Sequence, residues 1–391
     1  MIFIVYLNFQ ILIKFVLTTF FMISIIILFI YFVLFYVYIR SWNKINSLEI
    51  KRYTKSVSVI IACRNEDQNI LKLISCLKKQ NFDKKKLELI FINDHSEDKT
   101  LELLEKSQKN CSYLEVINLK DSITGKKNAI REGIKAAAGD IILCTDADCE
   151  MGERWIETII KYFEDPNCRF ISAPVMLNEE NNLFSKYQQL ELLSLVLTSA
   201  AAIGLNKPTL CNGANIAFRR KDYLKINQKD FEKFTTDDLS LLHYFKDKFK
   251  NCIFFIKDIE AIVSTDKHES LESYFSQKMR WISSSRYFTD SHTILISLLV
   301  YLVNIIFFYS VLQIIYSFIF VLDLFTSSYY LLIIAIKVFI DFLFLNTRLD
   351  FFNKENLLKY LFPFAVIHSI ITVVIVPLSF IIPLQWKGRK L

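Results

Sequence analysis

Four long apolar runs bracket a middle stretch in which apolar and polar positions alternate on a much shorter scale. The first run, Phe15 to Ile39, carries no charge and is long enough to cross about 30 Å of hydrocarbon as a helix. It is too long for a removable signal peptide, and no small-residue cleavage site follows it. Three more runs follow the middle stretch: Thr293 to Leu322, Tyr329 to Leu345, and Leu357 to Leu384, the last interrupted by Pro363, Pro377 and Pro383. The pattern predicts an N-terminal transmembrane anchor over 1–40, a folded domain over 41–291, and a C-terminal membrane region of two to four segments over 292–391.

Inside the middle stretch, Val57 to Ala62, Leu87 to Asn93, Leu114 to Asn118 and Ile141 to Thr145 are short β-branched or apolar runs at intervals of roughly 25 to 30 residues. Between them, Asn69 to Lys79, Thr100 to Lys109 and Lys127 to Ala137 place apolar residues at helical spacing, as Ile70, Leu73, Ile74 and Leu77 do. Strands alternating with helices predict an α/β domain with a mostly parallel sheet. Ligands of such sheets bind beyond the carboxyl ends of the strands, which directs attention to the residues that follow each one.

Composition supports a membrane chain with a folded domain. Hydrophobic residues make up 53% of the sequence and the mean hydropathy is +0.31. The net charge of +7 is spread among acidic residues instead of forming one basic tract, so nucleic acid is not an expected partner. Arg40, Lys44, Lys51, Arg52 and Lys55 cluster just after the first run, where the positive-inside rule puts the middle domain in the cytoplasm of a multi-pass plasma (inner) membrane protein. All eight cysteines lie in this domain without a Cys-x-x-Cys or zinc spacing, which fits reduced, buried thiols in a reducing compartment. The polar link Asn346 to Lys359 carries Lys and Arg, so the same rule returns it to the cytoplasm. For the last run a single crossing and a re-entrant path both stay open.

Reading the strand ends in order gives Arg64-Asn65-Glu66, Asn93-Asp94-His95-Ser96 and Asp146-Ala147-Asp148. Carboxylates crowded at one sheet edge repel, and a divalent cation such as Mg²⁺ or Mn²⁺ offsets that repulsion. The competing reading makes these Asp residues turn formers and helix caps. Their placement directly after an apolar strand and before the helical stretch Glu153 to Phe163 favours ligand binding. The sequence has no Gly-x-Gly-x-x-Gly or Walker motif, which disfavours dinucleotide oxidoreductases and P-loop enzymes. Further on come Asn212-Gly213-Ala214-Asn215, then Thr236-Asp237-Asp238, then Gln277-Lys278-Met279-Arg280-Trp281. On a helix over Leu271 to Ser284, Gln277, Arg280 and Trp281 share one face, where Arg can fork onto a diphosphate and an indole can stack on a sugar. Against this, Trp281 also fits an interfacial anchor beside the membrane.

Taken in order, these motifs resemble a membrane-integrated family 2 glycosyltransferase of the GT-A fold, over about Ser56 to Trp281. The resembling branch includes cellulose, chitin and hyaluronan synthases and ceramide glucosyltransferases. The resemblance implies a Rossmann-like domain and inverting transfer from a nucleotide-sugar donor, a UDP-sugar first, to a lipid-linked or polysaccharide acceptor at the membrane. It implies donor contacts from Glu66, Asp94, Lys126, Asp146 and Arg280, metal binding by Asp148 and Asp146, and acceptor contacts from Gly213, Gln277 and Trp281. Asp238 would be the base, with Asp237 beside it. The second motif has Asn93 where the family commonly has Asp, and the base motif reads Thr236-Asp237-Asp238 where the family has Thr-Glu-Asp. A rival of another class is a non-catalytic membrane scaffold or transport component, suggested by Lys337 and Asp341 within an apolar run.

Overall fold

The computed structural model describes residues 2–45, 53–178, 181–226, 237–288, 290–321, 324–382, 385–386 and 389–390, and for 2–14, 237, 321, 324–325 and the last two pairs the description is of the backbone alone. Lys51, Arg52, Thr236, Lys387 and Gly388 lie outside the described residues. The chain forms two compact units, one of Ser41–Gln277 and one of Met1–Arg40 with Lys278–Leu391. The division between them falls after Gln277.

The Ser41–Gln277 unit is built on a seven-stranded sheet of order β3-β2-β1-β4-β8-β6-β9. Its strands are β1 (Val57–Cys63), β2 (Leu87–Asn93), β3 (Leu114–Asn118), β4 (Ile141–Cys144), β6 (Phe170–Ser172), β8 (Ile216–Arg219) and β9 (Ile253–Phe255). The four N-terminal strands are parallel to one another, and β8 is antiparallel to both its neighbours, β4 and β6. β1, β2 and β4 are almost wholly buried, as expected of parallel strands covered on both faces. A smaller sheet of order β5-β10-β7 is made of Glu150–Met151, Val263–Thr265 and Val175–Leu177.

The first helix, α1 (Ile2–Trp42), is followed by α2 (Ile70–Lys78), α3 (Thr100–Lys109) and α4 (Lys126–Ala136), each bearing an apolar stripe. α4 buries Ala129, Ile130, Gly133 and Ile134 against β1 and β2. It lies so close that a Cβ on Gly133 would stand 2.6 Å from Ile92 Cδ1 and 2.9 Å from Ile60 Cγ2. Next come α5 (Trp155–Ile160), α6 (Leu183–Gly204), the short α7 (Arg220–Tyr223), α8 (Asp237–Lys248) and α9 (Leu271–Ser283). α6 is buried on nearly every side, which is why it shows no amphipathic period.

The other unit contains most of α1 with α10 (Ser291–Tyr316), α11 (Leu324–Asn346) and α12 (Leu361–Ser379). Four helical stretches are long and apolar enough to cross a membrane: Phe15–Trp42, Ser291–Phe320, Thr326–Asn346 and Glu355–Ser379. Within the last apolar run, Leu361–Ser379 is one helix with Pro377 near its end, without a re-entrant break among the described residues. Lys337 Nζ pairs with Asp341 Oδ2 at 2.7 Å, the Tyr31 hydroxyl donates to Asp341 Oδ1 at 2.8 Å, and the Lys337 ammonium lies 4.8 Å from the centre of the Phe307 ring. The two charges thus satisfy each other and tie α1, α10 and α11 together.

Candidate active site

The ends of β1, β2 and β3 lie level, because Cys63, Asn93 and Asn118 are register partners. The chain leaves this edge through two residues in left-handed backbone conformation, Asn65 (φ 54°) and His95 (φ 53°). Cross-links hold the two turns together. Asn65 Oδ1 accepts from Glu97 N, Asn65 N donates to Ser96 Oγ, and the buried Arg64 donates to the Asp94 and His95 carbonyls at 3.1 and 3.3 Å. Glu66 is fixed through its backbone N–H on Thr100 Oγ1 and through its carboxylate, which accepts from Asn69 Nδ2 at 3.0 Å.

Asp94 is 1% exposed, and its Oδ2 accepts from the Gly125 N–H at 2.9 Å. Gly125 precedes α4 with φ 96°, a conformation a side chain rarely adopts. The Asp94 carboxylate therefore moors the loop that brings Lys126 to the sheet edge. This anchoring role was not foreseen from sequence, although the Gly125-Lys126 pair marks the helix start.

At the end of β4, Lys126 Nζ meets Asp146 Oδ1 at 2.6 Å, and Asp148 Oδ2 accepts from the Thr265 hydroxyl at 3.0 Å. Burial, then the charges of Asp146 and Glu66, push the Asp148 carboxyl up to about 6, against relief from the Thr265 hydrogen bond and Lys126. Thr265 comes from β10 of the smaller sheet and carries no sequence signal of its own. In chemistry the set suits a hard divalent cation: all donors are oxygens, and one is a half-buried carboxyl whose charge its neighbours oppose. It is not a closed protein cage, since no three His, Cys, Asp or Glu side chains converge on a metal position among the described residues. Mg²⁺-type sites commonly rely on one or two carboxylates and take their other ligands from water and substrate phosphates.

Because β8 runs antiparallel to β4, with Ile216 opposite Cys144, its start lies at the end of β4. The Gly213–Asn215 turn therefore sits at the Asp146 edge. Gly213 N donates to Asp238 Oδ2 at 3.0 Å, while Asp238 Oδ1 accepts from Leu239 N at 2.8 Å. The half-buried Asp238 is thereby placed at this edge with both oxygens oriented by backbone N–H groups, each keeping a free lone pair. The turn is itself anchored by Asn215, wholly buried, which donates to the Pro174 and Ala261 carbonyls and accepts from Trp155 Nε1. Asp237 begins α8, and its side chain lies outside the described residues.

α9 carries Gln277, Arg280 and Trp281 on one continuous helix, with Gln277 in the sheet-bearing unit and the other two in the second unit. The Lys278 ammonium stands 4.8 Å from the centre of the Trp281 ring, one helical turn away.

Residues 58–226 match the family described as Glycosyl transferase family 2. The chain is 30% identical over 143 residues to the poly-beta-1,6-N-acetyl-D-glucosamine synthase of Staphylococcus aureus (strain COL), covering 36% of this chain and 34% of that protein. It is 26% identical over 167 residues to the synthase of the same name from Staphylococcus epidermidis, covering 42% and 40%. The matched stretches thus span less than half the length of these relatives. Among solved structures, the mannosyltransferase PcManGT from Pyrobaculum calidifontis, in complex with GDP-Man and Mn²⁺, is similar with a TM-score of 0.56 at 14% identity, covering 90% of this chain and 99% of that one. The level strand ends, the antiparallel β8 and this likeness agree on one conclusion: the fold is GT-A, and within it residues 58–226 match the family 2 glycosyltransferase model.

Proposed function

We propose that the chain is an inverting glycosyltransferase, moving a sugar from a nucleotide donor, a UDP-sugar first, to a lipid-linked or polysaccharide acceptor at the cytoplasmic face of a membrane. The observation that carries this reading is the pairing, at one sheet edge, of a charge-poised Asp146/Asp148/Lys126 set with an oriented Asp238 carboxylate. The four apolar helices support the membrane setting, and the relatives named for an N-acetylglucosamine polymer make UDP-N-acetylglucosamine the first donor to try.

Asp238 accepts the proton of an acceptor hydroxyl as that oxygen attacks the anomeric carbon from the face opposite the leaving group. The bond between that carbon and the diphosphate oxygen breaks, and the nucleoside diphosphate leaves. Gly213 N–H and Leu239 N–H hold the carboxylate so that little reorganisation is needed during transfer. Lys126 places a positive charge beside Asp146, where the diphosphate would rest. A divalent cation, Mg²⁺ or Mn²⁺, held by Asp148 and Asp146, would supply Lewis-acid stabilisation of the leaving diphosphate. Glu66 and the loop moored by Asp94 would serve the nucleoside, with Gln277 and Gly213 on the acceptor side; for Arg280 and Trp281 the diphosphate and acceptor roles rest on the motif resemblance alone. The mutual satisfaction of Lys337, Asp341 and Tyr31 gives those charges a structural role, which removes the motive for a transport reading.

The test is release of UDP by the purified full chain from UDP-N-acetylglucosamine and other nucleotide sugars, with Mg²⁺ or Mn²⁺ and with a chelator. Release that needs the metal and is lost in Asp238→Asn supports the proposal. Absence of release from every donor, or undiminished release by Asp238→Asn, refutes it.

A further inference from the structure

We infer that the C-terminal helices hold a binding site for one anionic phospholipid, with an acyl chain in an apolar groove and the phosphate at Lys359. A cavity of about 640 Å³ lies between the last turns of α10, the length of α11 from Leu331 to Phe342, and residues 358–362 at the entry to α12. Its floor is a packed core in which Val311, Ile314, Ile334 and Val338 meet Phe307 and Ala365, so the groove is part of the fold and not a gap between loose helices. Its rim residues Leu331, Phe339 and Phe362 are exposed.

Connectivity sets the direction of the groove. α10 ends at Tyr316 and α11 begins at Leu324, so Ile315 and Leu331 mark one end. α11 ends at Asn346, and the link returns through 355–360 into α12, so Phe342, Leu358 and Lys359 mark the other. From Leu331 to Phe342 the helix rises about 16 Å at 1.5 Å per residue. That is one leaflet of a hydrocarbon core of about 30 Å. An acyl chain lying along it would bring its phosphate to Lys359, the one charged residue lining the groove. Lys359 is exposed and forms no ion pair among the described residues, its ammonium standing 5.1 Å from the centre of the Tyr360 ring. A groove that is apolar along its length and cationic at one end complements a lipid with an anionic head.

This inference rests on the membrane setting proposed above but not on the transfer reaction. The experiment equilibrates the detergent-purified full chain with mixed micelles of phosphatidylglycerol and phosphatidylcholine of equal chain length, and counts retained lipids by native mass spectrometry. The wild type should retain one phosphatidylglycerol in roughly fivefold preference, the factor that one lysine near a headgroup contributes. Lys359→Gln, at an exposed position, should abolish the preference. Ala335→Trp, which fills the groove, should lower retention of both lipids. Equal retention of the two lipids by the wild type overturns the inference, as does wild-type preference in both variants. So does a groove covered by a second copy, seen as a dimer that Ala335→Trp converts to monomer with no change in bound lipid. A chain that stays soluble without detergent after an alkaline wash would instead refute the membrane setting itself.

Discussion

Asp148 shows how a single carboxyl set among like charges can cost stability. Its folded value of about 6 lies above the usual carboxylate value of 3.8, so the folded metal-free domain binds more protons than the unfolded chain between those limits. Stability should therefore fall as pH rises through that window, with the full penalty present at neutral pH. Asp148→Asn removes the ionisation while keeping an oxygen for the Thr265 hydroxyl, and should stabilise the metal-free protein by about 3 kcal/mol at pH 7.5, from roughly two pKa units at 1.36 kcal/mol each. The same variant should lose metal-dependent donor binding. Thermal melts at pH 4.5 and 7.5 with chelator test the first part, and a variant no more stable than wild type at pH 7.5 would sink it. At Asp238, Asn keeps one oxygen for a backbone N–H, replaces the other acceptor with an amide NH2, and takes up no proton. Turnover should fall about a hundredfold or more with donor affinity nearly unchanged, and Asp237→Asn is the matched control. A dead control beside an active Asp238→Asn enzyme would move the base to Asp237.

At the scale of elements, the parts legible in the sequence are those whose burial leaves a pattern. β1, β2 and β4 are buried parallel strands and read as nearly continuous apolar runs, and α2 to α4 bury one face and read at helical period. The second half of the domain leaves no such record. β6, β7, β8 and β9 are three or four residues long and draw their stability from pairing, while α6 is buried all round. Asp94, Asp146 and Asp148 could be found because they follow legible strands, and Asp238 could be found through the order of motifs. Thr265, which holds Asp148, and Asn215, which anchors the Gly213 turn, could not, because their partners are distant in sequence. The close seat of α4 gives a test of its own. Gly133→Val places methyl groups where even a Cβ would crowd Ile92 and Ile60. Overpacking of about 1 to 3 kcal/mol exceeds the gain of less than about 1 kcal/mol in helix propensity. Denaturant midpoints should fall, and an unchanged midpoint would show that α4 can lift without loss.

At the scale of the whole molecule, the arrangement of crossings decides whether the proposed site can reach nucleotide sugars. One candidate span precedes the sheet-bearing unit and three follow it. With the basic residues after the first span held in the cytoplasm, the domain and the link between α11 and α12 share one side, and the end of α12 lies on the other. Native cysteines are uneven reporters of this. Cys111 and Cys168 are 6% and 0% exposed, and burial raises the Cys168 thiol further, so both would stay unlabelled on either side. Cys76 and Cys211 are partly accessible and are the useful native thiols. In intact cells an impermeant maleimide should miss Cys76, Cys211 and an introduced Asn356→Cys in the exposed link, and should reach all three after permeabilisation. An Ile382→Cys variant, at an exposed position just past α12, should instead label from outside without permeabilisation. Labelling of Asn356→Cys from outside would mean that α10 and α11 do not both cross. Outside labelling of Cys76 would place the Asp146 edge away from the cytoplasm, and transfer from cytoplasmic nucleotide sugars would fail with it.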